Sequence, residues 1–179
     1  MTPAPTILTI GHSTRGLVEF VGLLRESGAA LLADVRSFPR SRANPQFNAE
    51  TLAPALAVER IGYRHLPALG GRRGRRRDAP PSPNTLWQMA AFRNYADYAM
   101  TEPFRAGLAE LLMLARAQRT AMMCAEAVWW RCHRRIIADY LLARGIPVAH
   151  IMGPGKIVAA TPTPGAQSQA DGTVLYPGS

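Results

Sequence analysis

The sequence predicts one Rossmann-like α/β domain, in which a mainly parallel sheet of about five strands is flanked by helices. Short apolar runs alternate along the chain with longer segments whose apolar residues repeat at helical spacing. A parallel strand reaches its neighbour through a long crossover, which is usually a helix, so this alternation is typical of a parallel sheet. A length of 179 residues, of which 47% are apolar, suits a single globular core.

The individual elements follow from these patterns. Strands are expected over residues 7–10, 30–35, 63–66, 120–124 and 147–152. Helices are expected over residues 17–25, 49–60, 87–100, 104–118 and 131–144. Gly28, Gly62 and Gly145 follow three of these helices, where glycine commonly ends a helix. The α/β domain is therefore expected to occupy residues 1–152.

Two segments have a different composition. Residues 70–84 contain five arginines, three glycines and three prolines, so we expect a solvated, mobile loop. Residues 153–179 are rich in Pro, Gly, Thr, Ser and Gln, so we expect a loosely held tail in which only residues 173–176 have strand character.

Charge and hydropathy restrict the partners. Lys plus Arg is 21 against 12 for Asp plus Glu, and 20 of the 21 cations are arginine, which permits binding of phosphate or carboxylate. A compositional bias toward arginine and alanine would give the same balance without any such role.

The chain has neither an apolar run of the roughly 20 residues that span a bilayer nor a signal-like N-terminus, so we expect a cytoplasmic protein without a membrane partner. Two cysteines are too few for a disulfide framework and are expected to be free thiols or ligands.

Polar side chains are concentrated where the predicted strands end. In open α/β sheets, ligands bind at the carboxyl ends of the strands. In chain order, the polar residues expected at those ends are His12, Ser13, Arg15, Asp34, Arg36, Ser37, His65, Cys124, Glu126 and His150. This edge of the sheet is therefore predicted to carry an active site.

Residues 124–135 form the centre of the predicted site. Arg131, Arg134 and Arg135 lie near the start of a predicted helix, where each cation costs roughly 0.3–1 kcal/mol unless an anion is bound there. Cys132 lies among these cations, which lower a thiol pKa. Glu126 could orient His133 or act as a general base.

Each candidate has a structural alternative. Cys124 ends an apolar strand and could be a core residue, and His65 and His150 could be structural hydrogen-bonding groups. Arg36 and Asp34 could form a local ion pair. Cys124, Cys132 and His133 could join a distant histidine in a zinc site, although their spacing is unlike standard zinc motifs. The phosphatase signature, the Walker loop and GxGxxG are absent.

Four motifs in chain order resemble the bacterial and archaeal family called domain of unknown function 488. They are TIGHS at 9–13, DVRS at 34–37 with the following PRSRANPQFN, LGG at 69–71, and CAE at 124–126 with CHR at 132–134. The resemblance runs from about residue 7 to 151, and residues 174–177 are similar to the ending of that family. It implies an α/β fold without an assigned activity, and the arginine-rich insert after Gly71 is this protein's own elaboration. The residues that the resemblance marks are His12, Ser13, Asp34, Arg36, Ser37, Arg42, Asn48, Cys124, Glu126, Cys132, His133 and Arg134.

These observations lead to a ranked set of functions. The first is an enzyme, a hydrolase or transferase, acting on a phosphate-bearing substrate such as a nucleotide or nucleic acid. Its candidate catalytic residues are Glu126, Cys132, His133 and His12. Its candidate anion-binding residues are Ser13, Arg15, Asp34, Arg36, Ser37, Arg42, Asn48, Arg131 and Arg134. The alternatives are a non-catalytic nucleic-acid-binding module that uses residues 72–77, and a structural zinc domain; cofactor and oligomeric state stay open.

Overall fold

A six-stranded sheet forms the centre of the molecule in a computed structural model, which describes residues 3–179. Its first five strands are parallel, and the sixth is antiparallel to the fifth. The strands are β1 (Ile7–Gly11), β2 (Leu31–Asp34), β3 (Gly62–His65), β4 (Thr120–Cys124), β5 (Val148–Gly153) and β6 (Lys156–Ala159). Their order is β3-β2-β4-β1-β5-β6. This arrangement confirms the predicted fold class, and β6 is an edge strand that the sequence analysis did not predict.

Helices cover both faces of the sheet. They are α1 (Leu17–Ser27), α2 (Ala49–Val58), α3 (Ala90–Tyr98), α4 (Glu102–Ala117) and α5 (Arg134–Ala143). Residues of α1 and α2 pack in the core on one face, and residues of α3, α4 and α5 pack in the core on the other. Both central strands, β1 and β4, are buried along their whole length because helices cover them on both sides.

Alternation along β4 determines which way its last residue points. Met122 and Cys124 belong to the core on the α5 side, whereas Ala121 and Met123 belong to the core on the α1 side. Successive side chains of a strand face opposite sides of a sheet, so the Cys124 thiol is directed toward α5.

Two predicted helices are shorter than their apolar patterns indicated. The helix predicted over 87–100 spans only the nine residues of α3. The helix predicted from residue 131 begins at Arg134, because Trp129–Arg131 forms a 3₁₀ turn and Cys132 has an extended backbone. Backbone bonds from Arg131 to Val128 and from Cys132 to Trp129 close that turn.

The arginine-rich loop at 70–84 is anchored at both ends. The Arg73 guanidinium lies 3.7 Å above the centre of the Tyr98 ring and donates to the carbonyls of Pro67 and Gly70. At the other end, the buried Asn84 donates to the Asp97 carboxylate. The mobility of the residues between these anchors stays a prediction.

The C-terminal tail packs against the domain, which differs from the loosely held segment expected from its composition. Its strand β6 extends the main sheet, and a short antiparallel pair forms between β7 (Gln167–Ser168) and β8 (Val174–Leu175). The Tyr176 side chain is fully buried, and its hydroxyl donates to the Asp139 carboxylate at 2.8 Å. Val174 is also buried, and the backbone N–H groups of Thr163 and Tyr176 donate to Asp139 and Asn84, so several contacts hold this segment against the domain.

Within residues 3–179, none of the helices is both long enough and apolar enough to cross a membrane. The longest, α4, has 16 residues, compared with about 20 for a typical transmembrane helix. The cytoplasmic location stays a prediction.

The contribution of Tyr176 to stability can be tested by removing its hydroxyl group. Tyr176→Phe removes the hydroxyl group that donates a hydrogen bond to Asp139. Because hydrogen bonds to charged groups typically contribute about 1.5–3 kcal/mol, we expect the free energy of unfolding to fall by about that amount. Urea denaturation measures the change. Tyr140→Phe is the matched control, because its hydroxyl reaches the Val174 carbonyl only at 3.4 Å, and a loss of about 1 kcal/mol or less is expected. Equal losses in the two variants would contradict the anchor.

Candidate active site

A pocket of about 430 Å³ lies at the carboxyl ends of β2 and β4. This is the edge at which the sequence analysis expected a ligand. Its walls come from the segments that follow β2 and β4, the residues just before α5, the Gly71–Arg72 segment and helix α3. The predicted site residues that line it are Arg36, Ser37, Glu126, Arg131, Cys132 and His133.

Cys132 and His133 form a thiol–imidazole pair on the pocket wall. The His133 Nε2 atom lies 2.7 Å from the Val35 carbonyl oxygen. A carbonyl can only accept, so Nε2 carries a proton, and the other ring nitrogen, Nδ1, is left to face the Cys132 thiol at 3.5 Å. Nδ1 can thus take the thiol proton, and the Val35 carbonyl then stabilises the resulting imidazolium. A nucleophile, a base and a group that orients the base are therefore arranged in series.

The surroundings of Cys132 favour a thiolate. Burial raises the pKa of this thiol, but the hydrogen bond from Cys124 and the charges of His133 and Arg134 outweigh burial and bring the pKa well below its ordinary value. The backbone N–H of Arg134 also points at the Cys132 sulfur, at 3.4 Å, from the start of α5. For Cys124, burial and the neighbouring Cys132 raise the pKa well above its ordinary value.

Arg134 lies beneath the pocket instead of lining it. Its guanidinium donates to the Glu126 carbonyl at 2.9 Å and to the Thr9 hydroxyl at 3.2 Å, while its Nε has no hydrogen-bond partner among the described residues. The side chain is 1% exposed, and none of the ion pairs within residues 3–179 includes it. A buried cation needs a counter-charge, and the two cysteine thiols are the groups that raise the pKa of Arg134 against the effect of burial. The Arg134 guanidinium therefore lies outside the pocket lining and next to the two thiols, and its role in anion binding stays a prediction.

Arg36 is held in place by several predicted residues. Asp34, which is fully buried, accepts from Arg36 Nε at 2.9 Å and from Nη2 at 2.7 Å. Nη2 also donates to the Phe47 carbonyl, and Nη1 faces His12 Nε2 at 3.4 Å. Four of the five guanidinium N–H groups are therefore engaged, and one is left for the pocket. Asp34 and His12 position Arg36 and lie outside the pocket lining.

His12 is a neutral acceptor in this arrangement. Its Nδ1 donates to the Ser13 carbonyl, which leaves Nε2 free to accept from Arg36. Burial lowers the pKa of His12, and its ring stacks on Phe47 at 4.4 Å. His12 thus contacts Arg36 and lies outside the pocket lining, and its catalytic role stays a prediction.

Four other predicted anion-binding residues lie outside the pocket lining. Arg15 donates to the Gly11 and Met152 carbonyls and pairs with Glu19. The Asn48 side chain accepts from the Ser41 N–H, and Arg42 is exposed. Ser13 has a left-handed backbone with φ 48° and connects the end of β1 to the Ala125 carbonyl. These contacts shape the loops around the site and do not reach the pocket.

Glu126 lines the pocket but does not orient His133. Both ring nitrogens of His133 have other partners, the Val35 carbonyl and Cys132. The Glu126 residue is exposed at the mouth of the pocket, and its backbone carbonyl is the group that Arg134 binds. Of its two predicted roles, only that of a general base is compatible with this position.

His65 and His150 make structural hydrogen bonds, as their alternative interpretation proposed. His65 Nε2 donates to the Arg36 carbonyl at 2.7 Å. The Thr9 hydroxyl accepts from Arg134 and donates to His150 Nδ1 at 2.6 Å. Burial, together with the Arg134 charge, lowers the pKa of His150 to about 4, so this ring is neutral near pH 7.

One wall of the pocket was not predicted from the sequence. The lining residues not predicted there are Phe38, Arg40, Gly71, Arg72, Met89, Ala91, Phe92, Tyr95 and Ala125. Tyr95 is buried and its ring packs edge-on against His133 at 5.0 Å. Apolar residues of α3 gave only a helical pattern, and no local signal ties that helix to the carboxyl edge of the sheet.

No cluster of three or more His, Cys, Asp or Glu side chains able to hold a metal occurs within residues 3–179. Of the four ligands that the zinc alternative requires, Cys124, Cys132 and His133 line the pocket, but His133 Nε2 already donates to a carbonyl. The zinc alternative therefore has no ligand set in the part of the chain that the structure describes.

Comparison with known proteins gives a family and no activity. The family model described as Domain of unknown function DUF488 matches residues 16–141, which is most of the chain. Neither the curated proteins nor the solved structures contain a match to this chain.

The thiol–imidazole geometry depends on a close contact at Gly71. A Cβ at this position would lie 2.6 Å from His133 Nδ1, so Gly71→Ala should displace the ring from Cys132. We expect the alkylation rate of Cys132 at neutral pH to fall, because loss of the imidazole contact raises the pKa of the thiol and lowers its thiolate fraction. Peptide mass spectrometry after timed iodoacetamide treatment measures this rate.

Gly74→Ala is the matched control in the same loop, because a Cβ there meets no atom within 4 Å. Its alkylation rate should equal that of the wild type. An unchanged rate in Gly71→Ala, with a native circular dichroism spectrum, would contradict the proposed geometry.

Proposed function

The chain belongs to the DUF488 family, and we propose that it is an enzyme that uses the Cys132 thiolate to attack a small phosphate-bearing substrate, such as a nucleotide. The observation that carries this proposal is the Cys132–His133–Val35 series, which opens into a pocket bordered by arginines. Perturbed titratable groups in a cleft are typical of catalytic sites.

The substrate class is inferred from the lining of the pocket. Arg40, Arg72 and Arg131 are exposed at its border, and Arg36 has one free N–H group inside it. Arginine binds phosphate oxygens through its planar fork. The opposite wall contains Met89, Phe92 and Tyr95, apolar side chains against which a base or another flat group can pack. The volume of about 430 Å³ falls within the usual range for small-molecule sites.

The residues have distinct roles in the proposed reaction. Cys132 Sγ forms a bond to the electrophilic atom of the substrate, and the leaving group takes the proton from His133 Nδ1. Glu126 removes a proton from the water or acceptor hydroxyl that then displaces the substrate from Cys132. With water as acceptor the enzyme is a hydrolase, and with another hydroxyl it is a transferase.

A pocket for a small molecule is favoured over a nucleic-acid clamp at residues 72–77. Arg73 is turned onto Tyr98 and two carbonyls, and Arg76 pairs with Asp78. These contacts occupy two of the five arginines that a clamp would use. A clamp would instead show affinity for nucleic acid that falls steeply with salt and is lost when residues 72–77 are neutralised.

Binding and chemistry can be separated with two variants. Arg131→Gln should weaken binding of nucleoside phosphates roughly tenfold, which corresponds to about 1.4 kcal/mol, because one cation at the border is lost. His133→Ala should bind the same nucleotide with little change and lose turnover, because the thiolate loses its partner. Isothermal titration calorimetry against a panel of nucleoside mono- and diphosphates, followed by phosphate-release assays on those that bind, measures both effects.

Arg116→Gln is the matched control, since Arg116 is exposed on α4 and lies outside the pocket lining. It removes the same charge and should leave affinity unchanged. Equal loss of affinity in Arg131→Gln and Arg116→Gln would indicate non-specific attraction to a basic protein and contradict the pocket. Full turnover in His133→Ala would contradict the thiol mechanism.

A further inference from the structure

The proposed reaction uses one of the two cysteines and leaves the other without a role. Cys124 ends β4 and Cys132 precedes α5, and both thiols line the same pocket. Both are nearly inaccessible to bulk solvent, with exposures of 2% and 3%. A second buried thiol in the same pocket can take part in the chemistry of the first.

The two thiols lie at the two ends of the segment that joins β4 to α5. Cys124 points to the α5 side of the sheet, as the core to which it belongs shows. Arg134 connects the two thiols: its backbone N–H lies 3.4 Å from the Cys132 sulfur, and its guanidinium binds the Glu126 carbonyl toward which the Cys124 thiol points. The interaction between the thiols lowers the pKa of Cys132 and raises that of Cys124. Cys124 also lies 3.9 Å from the Glu126 carbonyl, so the loop folds back over both sulfurs.

We propose that Cys124 and Cys132 form a reversible intramolecular disulfide on exposure to hydroperoxides, with Cys132 oxidised first and Cys124 resolving it. The inference shares the ionised Cys132 of the proposed function and is independent of the substrate. Transient disulfides of this kind occur in reducing compartments, where permanent ones are rare.

The atoms and electrons of the two steps balance with the peroxide as oxidant. The Cys132 thiolate attacks a peroxide oxygen, so that an S–O bond forms, the O–O bond breaks, and the departing oxygen takes the proton of His133 and leaves as water or an alcohol. The Cys124 sulfur then attacks the Cys132 sulfenic acid, the S–O bond breaks, and the departing hydroxide takes the Cys124 proton and leaves as water. Each thiol supplies one of the two electrons that reduce the peroxide.

Formation of the disulfide would remove a negative charge from the pocket. Oxidation removes the thiolate, so the buried Arg134 guanidinium loses its counter-charge while its bonds to Thr9 and the Glu126 carbonyl remain. The proposed nucleophile is lost in the same step. The disulfide would therefore switch off the pocket under oxidising conditions, and reduction would restore it.

The positions of the arginines make the cross-link easy to detect. Trypsin cleaves after Arg119, Arg131 and Arg134, so Cys124 and Cys132 fall in separate peptides, 120–131 and 132–134. The fully reduced protein is treated with one equivalent of hydrogen peroxide, blocked with iodoacetamide, and digested without reductant. We expect loss of both free thiols, a monomer on a non-reducing gel, and a joined 120–131/132–134 peptide that dithiothreitol separates.

Two variants test the order of the steps. Cys124→Ser should stop at the sulfenic acid of Cys132, which dimedone traps. Cys132→Ser should leave Cys124 unoxidised under the same treatment. Two free thiols in the peroxide-treated wild type, disulfides only between chains, or oxidation of Cys124 in Cys132→Ser would each overturn the proposal. The wild-type cross-link needs neither variant nor substrate, so it can fail or succeed independently of the proposed enzyme activity.

Discussion

The site depends on a buried arginine and the thiolate that neutralises it. Arg134 is enclosed between β1, the segment after β4 and its own helix, and no carboxylate pairs with it among residues 3–179. Burying an unpaired guanidinium is expensive, so the chain must supply negative charge nearby. Cys132 supplies it and is held by the Arg134 backbone N–H and by His133. The contacts that accompany the buried guanidinium also lower the pKa of Cys132, so the proposed reactivity depends on the same group as the burial of Arg134.

The segments around Arg134 and Cys132 pack closely against each other. A Cβ at Gly11 would lie 1.7 Å from the Glu126 carbonyl oxygen, so only glycine lets the end of β1 pack against the segment that follows β4. That contact holds the Glu126 carbonyl where Arg134 binds it. On the other side, Asp34 and His12 fix Arg36 at the pocket border. Several motif residues therefore contact Arg36 or Arg134 and lie outside the pocket lining.

The strands and the location of the pocket could be anticipated from the sequence only in part. Buried parallel strands are continuous apolar runs, so β1, β2, β4 and β5 were evident, and the carboxyl edge followed from general rules of α/β sheets. Cys132 and His133 were found because cations at a helix start are unfavourable without an anion. The orientation of the Arg134 side chain was not predicted, because a sequence does not show whether a guanidinium group points toward solvent or toward the core. The α3 wall and the Tyr176 anchor depend on contacts between distant segments and leave no periodic signal.

The ionisation of Cys132 in the resting protein is the central claim, and a direct thiolate titration tests it. The ultraviolet absorbance of thiolate is followed against pH in the wild type, Cys124→Ser and Cys132→Ser, all in the reduced state. The account predicts one thiolate in the wild type that persists well below the ordinary thiol pKa of about 8.5 and disappears in Cys132→Ser. Absence of any thiolate below that pKa in the wild type, or its persistence in Cys132→Ser, would contradict the account.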